Sequence, residues 1–300
     1  MSEKNTYDRI FENIGKSLTK ESVRRRDFIK GTLLTGASLL LSPMLSKVMA
    51  EETGWRIVQN QIKSTIGMVT SDASISSPRN VNQKVVRKMF EEALKTAMGV
   101  NNINEAWQKV FPHYKKTQVI LFKLTCLNPY NSSHKELVYE MADSLIKWGV
   151  KPNDIIIFER TAYEMQRQKY TINHSSNGIR CFGTTNPGYS PGYDESITIP
   201  LREGLFIGGL PHFSKVISRM CSYIINVPVL KRHIFSGVTL SLKNHYGSFN
   251  NPASYHDNQC DPYLAKLNSH PVIKEKTKLV VLDALACNFI KDQGGYPDTL

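Results

Sequence analysis

The chain has 300 residues, 41% of them hydrophobic and 21% charged, and a formal net charge of +12. That is ordinary globular composition with ample length for a core, and one domain after a leader is the simplest organisation. Residues 1–50 hold nine Lys and Arg against five Asp and Glu, which leaves +8 for the remainder. This moderately basic balance favours an anionic ligand or an anionic membrane surface. No aromatic-interleaved basic stripe, zinc-finger spacing or basic heptad is present, so nucleic acid is excluded as the expected partner.

The amino terminus carries the sharpest signal. Arg25-Arg26-Asp27-Phe28-Ile29-Lys30 fits the twin-arginine export pattern R-R-x-F-x-K. An apolar stretch from Gly31 to about Leu45 follows, interrupted by Gly36 and Pro43 and too short for a stable membrane span. Val48 and Ala50 put small residues at the minus-three and minus-one positions of a cleavage site after Ala50. The expectation is a signal peptide over 1–50, the twin-arginine translocation machinery as a partner, and a single folded domain, 51–300, in the periplasm.

Trp55–Gln59 reads as a short strand and Ser71–Asn82 as a polar loop. Val85–Met98 places Val85, Val86, Met89, Phe90, Leu94 and Met98 at helical period, and Asn104–Phe111 reads as a second, short helix. An α/β alternation then begins: strand Thr117–Lys123, helix His134–Trp148 closed by Gly149, strand Asp154–Glu159. Strand, helix, strand at this spacing implies a right-handed crossover and a parallel pair. Thr171–Tyr193, rich in Gly, Asn, Ser and Pro, reads as a polar loop, a lid over the sheet edge. Pro211–Cys221 reads as a helix leading into an apolar strand, Tyr223–Val227, which Pro228 ends. Lys231, Arg232 and His233 follow, then a helix-like segment with Ser236-Gly237 at its mouth and Gly247 past its end. That reading puts Thr239 and Lys243 on one helical face beside Asn244. A loop from His256 to Asp261, a helix near Pro262–Leu267 and a strand, Lys278–Asp283, complete the pattern, and Gly294-Gly295 makes a turn able to aim N–H groups at an anion.

The fold expected is therefore α/β, a mostly parallel open sheet with helices on both faces. Its ligand site belongs at the carboxyl edge of the strands. Lys123, Glu159, Lys231 and Asp283 are each placed at such an end. The expected constellation gives His233, Lys231 and Asp283 catalytic roles. Lys123, Thr239, Lys243, Asn244, Gly294 and Gly295 bind the ligand. His233, His245, His256, Asp257 and Asp283 are metal-ligand types, but their spacing fits no metal signature, so no metal site is assigned. Five widely spaced cysteines without a C-x-x-C offer no ferredoxin-type cluster and read as buried free thiols.

Val227-Pro228-Val229-Leu230-Lys231-Arg232-His233, followed by Gly237-Val238-Thr239 and Leu242-Lys243-Asn244-His245-Tyr246-Gly247, resembles the central signature of the family named domain of unknown function 362. That signature reads approximately lPvlK-x-H…vT-x-x-lKN-x-x-G. The looser likeness runs from about Val119 to the end of the chain. It implies an architecture and site positions but no settled activity. In Lys123-Leu124-Thr125-Cys126-Leu127, Thr125 stands where the resemblance implies Asn. The resemblance also implies a further strand and helix after Gly295, so the chain reads as shortened or incomplete.

Three functions follow. One is an exported enzyme acting on an anionic small molecule, with Lys231 and Lys243 neutralising charge, His233 as acid or base, and Asp283 orienting it. The second is a metal- or cofactor-dependent redox partner, suggested by the export route alone, with the cofactor unknown. The third is a non-catalytic periplasmic anion binder.

Overall fold

The computed structural model describes residues 64–77, 80–202 and 209–288. The leader, the strand expected at Trp55–Gln59 and the Gly294-Gly295 turn lie outside the described residues.

A small hairpin, β1 (Ile75–Ser77) and β2 (Asn80–Val81), occupies part of the segment read as a polar loop. It leads into α1 (Gln83–Met98), where the Asn82 side chain accepts from the Val85 N–H and Gly99 closes the helix at φ 62°. Next come α2 (Ile103–Val110), β3 (Ile120–Lys123) and α3 (Lys135–Trp148). They are followed by β4 (Ile155–Thr161), α4 (Ala162–Arg167), β5 (Arg180–Thr185), β6 (Tyr193–Thr198) and β7 (His212–Ser214). The one-turn α5 (Lys215–Ser218) precedes β8 (Tyr223–Asn226), β9 (Val229–His233) and β10 (Gly237–Thr239). The chain continues through α6 (Ser241–Asn244), α7 (Tyr263–Ser269), α8 (Pro271–Lys274), β11 (Thr277–Val280) and β12 (Asp283–Asn288).

Five strands form one wholly parallel sheet in the order β11-β8-β3-β4-β5. The four strands read from the sequence share it. Period-two alternation feeds two cores. Ile120, Phe122, Ile155, Ile157 and Ile225 pack beneath α1, α2 and α3, while Leu121, Ile156, Phe158 and Ile224 pack against α5, α7 and α8. Both faces are thus covered, and each fully buried Ile, Leu or Phe contributes roughly 1.5–3 kcal/mol. From β3 the chain moves outward through β4 and β5, then returns to the other side of β3 with β8. The β3/β8 boundary is therefore the switch point, where the connections leaving two neighbouring strands part and open a crevice.

Beyond the β1–β2 hairpin, the structure departs from the sequence reading in four places. The segment read as a lid contains β5, an edge strand of the main sheet with Cys181 and Phe182 buried. Its pairing with β4 is made by backbone groups, which polar neighbours do not prevent. Pro211–Cys221 is a three-residue strand and one helical turn, not a helix. Residues 229–239 form an antiparallel hairpin, Gly237 pairing with His233 and Thr239 with Lys231. Gly237 at φ 75° supplies the left-handed residue that lets the chain reverse. No helix N-terminus therefore faces the crevice from this segment, and Thr239 and Lys243 do not share a helix. Finally, β11 ends at Val280. Asp283 opens β12, which runs beside β9 in a separate three-stranded sheet, β10-β9-β12, so neither Lys231 nor Asp283 ends a strand of the main sheet.

Candidate functional site

The carboxyl ends of β3, β4 and β8 present Lys123, Glu159 and Asn226. Lys123 is fully buried, and its Nζ donates to Glu159 Oε1 at 2.9 Å and to the Leu124 carbonyl at 2.6 Å. Glu159 also accepts from the Arg160 N–H at 2.8 Å and, through Oε2, from the Cys126 N–H at 3.0 Å. Asn244 spans the switch point. Its Nδ2 donates to the Lys123 carbonyl at 3.1 Å and to Asn226 Oδ1 at 2.7 Å, while its Oδ1 accepts from Thr125 Oγ1 at 2.8 Å and Lys123 Nζ at 3.4 Å. Thr125, the departure from the implied Asn, donates directly to this lock.

Gly247 explains the end of the motif. A Cβ there would lie 2.2 Å from Glu159 Oε1 and 2.7 Å from Lys123 Nζ. Asn244 and Gly247 therefore close the floor of the crevice over a buried ion pair, and Lys123 and Asn244 act here as structural groups.

Lys243, next to Asn244, faces the other way. Its Nζ lies 3.0 Å from His256 Nε2 and 3.5 Å from the centre of the Tyr246 ring, a cation–π contact. His256 in turn stacks on His233 at 5.5 Å. Hydrogen bonding sets both tautomers. His233 Nδ1 accepts from the Phe235 and Ser236 N–H groups, which leaves its proton on Nε2. His256 Nε2 accepts from Lys243, so its Nδ1 donates to the Ala253 carbonyl. Burial lowers the Lys243 amine to about 8, with the Lys231 charge adding to the effect. Burial lowers the Lys231 amine to about 8 as well, opposed by Glu159. Burial, then the charges of Lys243 and its neighbours, drives His233 down to about 3, so the ring is neutral at physiological pH. A neutral imidazole held this way donates a hydrogen bond from Nε2. It is a weaker acid–base candidate than the sequence reading assigned.

Asp283 is elsewhere. It is fully buried and takes His134 Nδ1 at 2.9 Å, the His134 N–H at 2.7 Å and the Leu285 N–H at 3.2 Å. Burial would raise its carboxyl, but the His134 ring and these N–H groups outweigh it and hold the group below its ordinary range. In the β9–β12 ladder Asp283 stands beside Val229, four residues before His233 and thus ~13 Å along the strand. Its histidine is His134, at the mouth of α3, and the expected Asp283–His233 pair is not formed.

The structure thus brings Lys231, His233 and Lys243 into one cluster, with His256 and Tyr246, next to the Lys123–Asn244 lock. Asn226 and His134 were missed. Asn226 was visible as a polar residue closing an apolar strand, whereas His134 had no local signal. Among the described residues no group of three or more His, Cys, Asp or Glu side chains is arranged to hold a metal. His245 binds Ser248 at 3.1 Å, and Asp257 is engaged by Arg202 and Tyr263. No helix among the described residues is long and apolar enough to cross a membrane.

An open parallel α/β sheet, with a polar lock at its switch point and a basic side-chain cluster near it, defines the class of protein. The chain belongs to the family described as Domain of unknown function (DUF362), which residues 121–298 match. No curated protein matches the chain. Among solved structures, the crystal structure of a protein from Thermotoga maritima is similar at a TM-score of 0.33 and 10% identity, over 74% of this chain and 54% of that one. The chain therefore spans about half the length of that structure, and a likeness at this level carries no argument about function.

Proposed function

We propose that this is an exported periplasmic enzyme that acts on an anionic small molecule in the Lys231–His233–Lys243–His256 cleft. One observation carries the reading. Two lysines and two histidines converge there, and among the described residues neither lysine has a carboxylate within ion-pair distance. Partly buried ammonium groups without a counter-charge are costly, and an anion would supply it. Lys243 would hold the anion and His233 would donate to it from Nε2. Lys243→Ala is then expected to weaken anion binding by ~1–3 kcal/mol, one charge-assisted hydrogen bond. Both lysines are charged below their values of about 8. Affinity is thus full below that pH and lost as pH rises through it. Calorimetric titration with sulfate, phosphate and small carboxylates tests this; equal affinity at pH 6.5 and 9.5, or in Lys243→Ala, would refute it.

A non-catalytic anion binder uses the same cleft. It is favoured if His233→Ala costs only affinity, and the enzyme reading if turnover is lost while affinity stays.

The location rests on Arg25-Arg26-Asp27-Phe28-Ile29-Lys30. Folded export through the twin-arginine machinery, with cleavage after Ala50, predicts that the paired Arg25→Lys, Arg26→Lys variant stays in the cytoplasm as precursor. Fractionation followed by immunoblotting checks it, and normal periplasmic mature protein from that variant would rule the route out.

A further inference from the structure

Lys231 differs from Lys243 in having almost nothing to hold. Among the described residues its Nζ makes one long contact, 3.4 Å to the Asn131 carbonyl oxygen. Around it stand polar groups that are also unmatched. Asn131 is 2% exposed, yet among the described residues neither Nδ2 nor Oδ1 of its side chain has a hydrogen-bond partner. Thr239 is 5% exposed, and its Oγ1 has no partner among the described residues either. Thr239 is the direct cross-strand neighbour of Lys231, so the two side chains rise from the same face of the hairpin. Buried donors and acceptors are rarely left unmade, and three unmatched groups around one amine mark a place that a ligand completes.

We propose that Lys231 is the nucleophile of the cleft, its amine condensing with the carbonyl carbon of a small carbonyl-bearing carboxylate, such as a 2-oxo acid, to form a covalent imine. The proposal rests on the anion-binding reading for the charge of the substrate, whose carboxylate Lys243 would hold. It adds the chemical class and the bond formed. The Lys231 nitrogen lone pair attacks the carbonyl carbon, and the C=O electron pair moves onto oxygen. A C–N bond forms, and one amine proton passes to that oxygen to give a carbinolamine. The second amine proton leaves with the oxygen as water, and the nitrogen pair closes the C=N bond. No oxidant or reductant is consumed. Thr239 Oγ1 and Asn131 Nδ2 are the donors available to the carbonyl oxygen as it gains charge. Burial, which lowers this amine to about 8, keeps part of it uncharged near neutral pH. A desolvated lysine beside a second cation is an established way to activate an amine.

The test is reductive trapping. Purified protein is incubated with pyruvate or glyoxylate and sodium cyanoborohydride at pH 6.5 and pH 8, and adducts are mapped by peptide mass spectrometry. The expected result is a substrate-derived adduct on Lys231 at least about tenfold above any other lysine, formed faster at pH 8. Lys231→Arg should abolish it, and Thr239→Val should slow it. Labelling spread evenly over surface lysines, labelling at an unchanged rate in Lys231→Arg, or none at all would overturn the proposal. Sulfate calorimetry on the same samples separates the two readings. Sulfate binding without a Lys231 adduct sinks the imine and leaves the anion cleft. A Lys231 adduct that sulfate does not slow, with no sulfate binding, supports the amine chemistry and removes the anion reading.

Discussion

Replacing Glu159 by alanine is expected to lower the unfolding free energy by about 3–5 kcal/mol, because it strands the fully buried Lys123 ammonium without its counter-charge. The variant also removes the acceptor for the Cys126 and Arg160 N–H groups, so three donors lose a partner at once. Urea unfolding with an unchanged m-value measures the loss. The paired change Lys123→Met, Glu159→Leu should come much closer to the parent, since an apolar pair of similar volume carries no desolvation cost. A loss below about 1 kcal/mol for Glu159→Ala would mean that water reaches the pair, as it does at surface ion pairs.

Gly247→Ala should cost about 2–4 kcal/mol, above ordinary overpacking, because the added methyl meets the ends of two side chains that are themselves tied in place. Displacing Glu159 Oε1 breaks the ion pair, and displacing Lys123 Nζ breaks it from the other side. The two sites are therefore coupled. In a Glu159→Ala background the same substitution should cost well under half as much, since the nearest clash has gone. Additive losses in that cycle would show that Gly247 is needed for its backbone and not for the space it leaves.

These two residues show where sequence reasoning held and where it stopped. The main sheet was legible because Ile155-Ile156-Ile157-Phe158 and Tyr223-Ile224-Ile225 are too apolar to lie anywhere but between two layers. The helices at 85–98 and 134–148 were legible from their period, the second also from Gly149. The density of Lys231, His233, Lys243 and Asn244 in a short span marked the region where these side chains cluster. What it could not give was direction. Lys243 and Asn244 are adjacent, yet one faces the cleft and the other the floor. Only contacts distant in sequence decide this: Asn244 bonds to Lys123 and Asn226, and Lys243 lies against His256. The partner of Asp283 was hidden for a similar reason. His134 lies 149 positions away, and the pairing depends on β12 crossing to a second sheet that no local pattern announces. Strand β5 was missed because edge pairing asks little of side chains.

All five cysteines are buried, and four of them divide between the two sides of the main sheet. Cys126 and Cys181 lie in the layer beneath α1, α2 and α3, Cys221 and Cys260 in the layer with α5, α7 and α8. Burial raises the Cys181 and Cys221 thiols to about 12 and Cys126 well above its ordinary value, so these three do not react as thiolates while their layer is closed. Alkylation then waits on opening, and its rate reads the opening equilibrium when closing outpaces the reagent. Because the thiols divide between the layers, a time course resolved by peptide reports which side of the sheet parts first. The chain carries its own two-channel record of how it comes undone.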